Sequence, residues 1–507
     1  MKAINPEISS EYSLQKCGVD SYPKPVGQRV LMKKAAKNRI RVQDFYLIEG
    51  SGDDSLIILQ NGNWGRMNLE GLTLLCSLNG LTLSEAKNLT GVSGSVLKKM
   101  LKDPLTWNLV SLPGESFPKI QRHQQWSTDF SMLVLKVTNE CNLKCRYCYN
   151  VGFSGGKRIT EERGIDIIRN AMDHSKEGLN IVFHGGEPLL ALDLMKKLCQ
   201  FARKYATSCG KSILLLVQTN ATIFNKEVLE FLDQYRVGIG ISLDGPGSCN
   251  AFRVDHSGKP SIDQVWKGIK KLQEWGRCVN ILTVITSRNA DKLYDIVMEF
   301  QERGISSIQF SPYFKQGHET NVTLDIAPNP DHIEQSFEQI IQGIIYGKIQ
   351  DIQVKIIRDM IGRCLSWGEP MMCFRPGPCG AGKNMVAIYD DLVYACDCLV
   401  NDRFLFGRLD DKNSLSDLVK KSPKDLLDVH HPNRLNPCSQ CALSEICGGT
   451  MICRTFWNFG DPFAVDPVEC QIKQKTLVRL LWNLTESRRL IEYFLKCERL
   501  SKPSSSE

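Results

Sequence analysis

Leu133-Val-Leu-Lys-Val-Thr138-Asn-Glu-Cys141-Asn-Leu-Lys-Cys145-Arg-Tyr-Cys148 decides the reading of this chain. The first half is an apolar, β-branched run of the kind that forms a buried strand. The second half sets three thiols, spaced by three and then two residues, directly after that strand. A cuboidal iron–sulfur cluster held by three cysteines keeps one iron vertex free for another ligand. Tetrahedral zinc wants a fourth protein ligand, and none stands at finger-like spacing nearby. A redox Cys-x-x-Cys pair would leave Cys141 without a role. An open iron is a reaction site, so the stretch points to an enzyme.

Outward from it, apolar runs at 180–184, 213–218, 237–242, 279–284 and 307–310 alternate with amphipathic segments such as 160–174 and 291–303. Short, doubly buried strands separated by helices imply a parallel sheet. Six such βα units predict an α/β fold, a partial (β/α)6 barrel of TIM-like design. In such a barrel chemistry sits at the C-terminal ends of the strands. Polar or glycine-rich residues follow the strands: His184-Gly-Gly-Glu-Pro188, Gln218-Thr-Asn220, Ser242-Leu-Asp-Gly245, and Gln309 with Ser311.

With 507 residues and 42% hydrophobic content, the chain is long enough for several cored domains. We expect divisions at 1–115, 128–330, 331–372, 373–475 and 476–507, the tail from 501 being disordered. The net charge of +7 is a mild bias and gives little support to nucleic acid as a partner. No run of 18 apolar residues occurs and the first residues lack an apolar signal core, so a soluble, cytoplasmic protein is expected. In a reducing compartment, twenty cysteines argue for metal rather than disulfides.

Cys141-x3-Cys145-x2-Cys148, with Tyr147 before the last cysteine and Gly185-Gly186-Glu187-Pro188 after the next strand, resembles the radical S-adenosylmethionine (SAM) superfamily over about 130–475. The resemblance implies a [4Fe–4S] cluster on Cys141, Cys145 and Cys148 whose free iron chelates SAM. One-electron cleavage then yields a 5′-deoxyadenosyl radical. It further implies that Gly185 and Gly186 let backbone approach the cofactor and that Glu187 accepts from its ammonium. Gln218, Asn220 and Ser242 would face SAM, Arg253 would pair with its carboxylate, and Tyr147 would line the adenine.

A second cysteine series follows: Cys373, Cys379, Cys396, then Cys438-x2-Cys441-x5-Cys447-x5-Cys453, then Cys470. Eight thiolates suit two more fully ligated four-iron clusters. The spacing resembles the SPASM extension of radical SAM peptide-modifying enzymes. That family implies one auxiliary cluster on Cys373, Cys379, Cys396 and Cys453 and another on Cys438, Cys441, Cys447 and Cys470, three clusters in all. Two departures stand out: five residues rather than three precede Cys453, and Asp391 replaces the glycine expected before Cys396. Zinc on Cys438, Cys441 and Cys447 is the plainer alternative. Asp397, directly after Cys396, stands where sulfatase-maturating members carry a general base, with a solvated turn aspartate as its ordinary reading.

Ahead of the barrel, Leu56-Ile-Ile-Leu-Gln-Asn61-Gly62-Asn-Trp-Gly-Arg-Met67 signals a hairpin, Asn61-Gly62 supplying two positive φ angles. Helical patterns at 69–78, 84–89 and 93–101 and a returning strand at 107–112 complete a winged-helix-like module. It resembles the PqqD-like leader-binding element of peptide maturases, which adds an extended leader as an extra strand. The expectation is therefore a radical SAM maturase of a ribosomally made precursor peptide, forming thioether bonds from cysteine. A flavodoxin or ferredoxin would supply electrons, and neither membrane nor nucleic acid is an expected partner. Two alternatives stand beside it: a sulfatase-type maturase making formylglycine from Cys or Ser, and a non-catalytic leader- or nucleic-acid-binding metal protein.

Overall fold

The computed structural model describes residues 25–50, 52–93, 95–97, 109–111, 130–152, 157–314, 325–365, 379–420 and 435–501. In the N-terminal part, β1 (Gln28–Val30), β3 (Phe45–Glu49), β4 (Asp54–Leu59) and β5 (Trp64–Asn68) form a four-stranded antiparallel sheet in that order. A two-stranded ribbon joins β2 (Arg41–Val42) to β6 (Val110–Ser111), the returning strand. Helix Leu69–Leu78 starts at its Asn68 cap, and helix Leu83–Thr90 runs from a Thr82/Glu85 capping box to left-handed Gly91. Residues 95–97 are helical, and 98–108 lie outside the described residues.

The hairpin forms, but its turn corrects the expectation. Of Asn61 and Gly62 only Gly62 has positive φ, at 78°. Leu59 N–H bonds to the Asn63 carbonyl and Ile58 pairs with Trp64, so the loop is longer than two residues and needs one left-handed position.

The main sheet has ten strands: β7 (Met132–Thr138), β8 (Gly178–Gly185), β9 (Ser212–Thr219), β10 (Val237–Ser242), β11 (Asn280–Ile285), β12 (Ser307–Pro312), β13 (Gln353–Val354), β14 (Met385–Tyr389), β15 (Leu392–Tyr394) and β16 (Leu405–Arg408). Their order is β13-β12-β11-β10-β9-β8-β7-β14-β15-β16. From β13 to β14 every neighbouring pair is parallel; β15 and β16 close the edge as an antiparallel meander. The sheet thus runs beyond the six strands read from the sequence, and β14, from the cysteine-rich region, lies directly beside β7.

Along β8 to β11, wholly buried apolar residues alternate with half-buried ones. Leu179, Ile181 and Phe183, or Val237, Ile239 and Ile241, face the core, while His184, Gln218 and Ser242 lie on the half-buried face. The same period of two divides the N-terminal sheet. Phe45, Ile57 and Leu59 pack with Leu72, Leu75 and Leu78 in a small core of their own. Tyr46, Leu56 and Ile58 enter the main core. Trp64 Nε1 also donates to the Cys364 carbonyl at 2.6 Å. Among the described residues no helix is long and apolar enough to cross a membrane.

Candidate active site

At the C-terminal end of β7 the chain turns into the cysteine loop, held on two sides. Lys144 N–H and Arg146 N–H donate to the carbonyls of Val254 and Phe252 at 2.7 and 2.9 Å, and a His256 ring nitrogen lies 2.8 Å from the Cys141 carbonyl. On the other side Gly186 N–H donates to Thr138 O at 2.8 Å and Glu187 N–H to Glu140 O at 2.7 Å. The two glycines are required here by the protein itself. A Cβ on Gly185 would lie 2.2 Å from Thr138 O, and one on Gly186 2.1 Å from Glu140 O. Their freedom therefore admits the backbone entering the cysteine loop.

The three thiols act on one another. Burial pushes Cys141 up to about 11 and Cys148 up to about 12, with the neighbouring thiols adding to both. Cys145 is raised by burial as well, with Arg253 opposing. Three half-buried, mutually repelling thiolates are an unfavourable arrangement that a bound cation relieves, because coordination holds sulfur deprotonated.

Arg253, 7% exposed, shows where a ligand would meet them. Its Nη1 donates to Tyr147 Oη at 2.9 Å, Tyr147 donates to Asp244 Oδ2 at 2.5 Å, and its buried Nε has no hydrogen-bond partner. Burial works against the guanidinium, but Tyr147, Cys145 and Asp244 together raise it well above its ordinary value. A donor-only group with one unmet N–H beside the thiols fits a carboxylate. The site thus fits a three-cysteine cluster carrying an amino-acid ligand.

The other expected contacts separate into classes. Glu187 is buried and caps strand ends, accepting from Thr219 Oγ1 and Asn220 N–H, both at 2.7 Å, and from Leu189 N–H at 3.1 Å. Burial raises it, opposed by those three donors. Asn220 reaches the loop through Asn142 Oδ1 at 2.8 Å and the Cys141 sulfur at 3.9 Å. Gln218 and Ser242 are paired at 2.9 Å. The Tyr147 ring packs with Phe252, Tyr313 and Ile326.

Asp397 lies next to this face. It accepts from Tyr149 Oη at 3.0 Å and from the Cys396 thiol at 3.2 Å. Burial works to raise its carboxyl, but His184 and Lys136 outweigh burial and hold it below the usual range. Lys136 is 2% exposed, donates to Asn150 Oδ1 at 3.0 Å and lies 5.0 Å from the Tyr149 ring centroid. The β7–β8 register sets it opposite His184. Sequence reasoning overlooked Lys136 and Tyr149 and gave His184 no role of its own. A lysine inside an otherwise apolar strand was the available signal.

One of the two expected cysteine sets gathers within the described residues. Cys438, Cys441, Cys447 and Cys470 lie within electrostatic reach of one another and are buried, which raises Cys438 and Cys470 strongly. Around the other site, the ligand atoms of Cys396, Asp397 and Cys398 lie within 4.8 Å of one another. Cys379, next to Cys398, accepts backbone N–H bonds from Ala381 and Ile452, the latter adjacent to Cys453. Cys373 lies outside the described residues.

The radical SAM superfamily matches residues 135–300. A cysteine-type anaerobic sulfatase-maturating enzyme from Clostridium novyi is 26% identical over 335 residues, 62% of this chain and 86% of that protein. Native anSMEcpe, solved with bound AdoMet and Cp18Cys peptide, shares the fold at a TM-score of 0.61 and 22% identity, covering 72% of this chain and 99% of that one. Streptococcus suis SuiB bound to precursor peptide SuiA aligns at a TM-score of 0.50 and 18% identity, covering 86% and 99%.

A parallel sheet whose first strand opens into three clustered thiols, with an unmet guanidinium N–H beside them, defines an iron–sulfur radical enzyme. Residues 135–300 match the radical SAM superfamily, whose members use a [4Fe–4S] cluster and SAM.

Proposed function

We propose that this enzyme is a maturase that takes a hydrogen atom from a residue of a ribosomally made precursor peptide and joins a cysteine sulfur to the carbon left behind. Cys141, Cys145 and Cys148 would hold the cluster and Arg253 the SAM carboxylate. Cluster and SAM, when bound, supply a 5′-deoxyadenosyl radical. The chain supplies the rest. Asp397, kept ionised by Lys136 and the Tyr149 hydroxyl, accepts the proton of the substrate thiol. Tyr149 fixes the carboxylate by donating to Oδ2. Phe252 and Arg253, both buried, cover one side of the loop and help keep water from the reacting centre. Thioether formation removes two hydrogens from the peptide, and the auxiliary cysteine sites would take up the surplus electron. A flavodoxin or ferredoxin would return electrons to the first cluster.

The observation that carries this reading is Asp397: a half-buried, ionised carboxylate beside the polar face of the sheet and next to a cysteine-lined site. The N-terminal sheet, with half-exposed β1 at its edge, suits strand addition by a leader peptide. SuiB, bound to its precursor, supports a peptide partner. The sulfatase-maturating relatives favour a second reading, oxidation of Cys or Ser to formylglycine, which uses the same base.

Co-expression with a cysteine-containing precursor, followed by mass spectrometry, separates the two. Thioether formation keeps sulfur and loses two hydrogens per bridge; formylglycine made from cysteine loses the sulfur. Asp397→Asn should leave SAM cleavage in place and slow product formation at least about tenfold. An unchanged product rate removes the base role.

A further inference from the structure

We propose that Lys473 sets the redox level of the centre held by Cys438, Cys441, Cys447 and Cys470. As a fixed buried cation it stabilises that centre's reduced form. The inference rests on these four thiols holding an iron–sulfur cluster, and it concerns a residue outside the ligand set.

Helix Pro467–Glu486 presents the arrangement. Cys470 and Lys473 are three residues apart and Cys470 and Gln474 four, so all three share one helix face. Gln474 Nε2 reaches the Cys441 sulfur at 3.8 Å, which fixes that face toward the cysteines. Lys473 is 1% exposed. Its Nζ donates to the Gly449 carbonyl at 3.0 Å, and the Cys447 thiol points to the same oxygen at 3.8 Å. Cation and ligand sulfur are therefore neighbours around one carbonyl.

That carbonyl comes from the spacing anomaly in the sequence. Gly448 and Gly449, in the five-residue interval before Cys453, have φ of 75° and 82°. The left-handed pair turns the Gly449 oxygen toward Lys473.

The compensating anion is Glu469, the residue directly before Cys470. Glu469 pairs with Lys473 at 2.6 Å through Oε1. Its Oε2 accepts from Met451 N–H at 3.0 Å and faces Arg454 at 3.5 Å. Arg454 also faces Asp466 at 3.6 Å and donates to the Pro312 carbonyl at 3.0 Å, at the end of β12. All four side chains are buried, so their fields are poorly screened. The network is balanced in charge; at Cys447 the Lys473 cation outweighs Glu469, which also acts on Cys470. Charge and hydrogen bonds around cluster sulfurs are what set reduction potentials.

The test is a potentiometric titration, followed by electron paramagnetic resonance, of the anaerobically reconstituted full-length protein. Lys473→Met should lower the midpoint of one auxiliary centre, and Lys473→Arg should keep it near the wild-type value. Glu469→Gln should move the same midpoint upward. The centre on Cys141, Cys145 and Cys148 serves as the internal reference. An unmoved midpoint in Lys473→Met at full iron content overturns the proposal, as does a shift of the same sign in Lys473→Met and Glu469→Gln. Loss of that centre's iron in Lys473→Met also overturns it, because the role would then be structural. Wild-type protein lacking that cluster overturns both this inference and the auxiliary-cluster reading, and iron analysis shows it before any variant is made.

Discussion

Arg253 carries more of the site than its spacing announced. Its guanidinium is shared between Tyr147 and an unfilled position at Nε, and it lies close enough to Cys145 to act on that thiol. Arg253→Met keeps much of the length and removes charge and donors. Losing one charge-assisted hydrogen bond costs about 1.5–3 kcal/mol, so SAM affinity should fall roughly 10- to 100-fold. Equilibrium dialysis on reconstituted protein of normal iron content measures this, and unchanged affinity would confine Arg253 to the Tyr147–Asp244 contact. The residue scale is also where the sequence was read best. The three spaced thiols are a local signal, decided within a few positions. Lys136 was equally local, but its meaning depends on Asp397 and Tyr149, which only the folded chain brings together.

Among the elements, the β14–β15 turn shows how a departure from a family pattern can be absorbed. Asp390 and Asp391 have φ of 48° and 68°, the region the missing glycine would occupy at no steric cost. Asp391 holds it with ion pairs to Arg163 at 2.5 Å and Arg408 at 3.3 Å. Asp391→Gly trades ion pairs for conformational ease and should change stability by less than about 1 kcal/mol. Asp391→Ala loses the pairs and keeps the strain, so it should cost about 1–3 kcal/mol. Thermal unfolding of the two variants side by side tests this; equal losses would show the backbone conformation to be unimportant. The strands of the main sheet were legible because period two and short apolar runs are local. The hairpin turn was misjudged because Asn-Gly suits several loop lengths, and cross-strand register decided among them.

For the whole molecule, the N-terminal part has a small core of its own and also shares the main one. The N-terminal sheet gives Tyr46, Leu56 and Ile58 to the main core, and the cysteine-rich region gives β14 to the main sheet. Removing residues 1–128 should therefore strip packing from the rest of the chain. Each buried aliphatic lost costs about 2–5 kcal/mol, so the truncated protein should aggregate or unfold at a clearly lower temperature. Size-exclusion chromatography and thermal unfolding check this. A monomeric truncated enzyme with normal stability and SAM cleavage would show that the module is an appendage. Long-range pairing of this kind leaves no local trace, which is why neither β14 beside β7 nor the shared core was read from the sequence.

The placement of β14 has a consequence for biogenesis. Until Met385–Tyr389 has left the ribosome, Met132–Thr138 waits with one flank bare, an apolar edge able to recruit strands from other nascent chains. Lys136 interrupts that edge, so a charge that serves the finished site also guards the unfinished one.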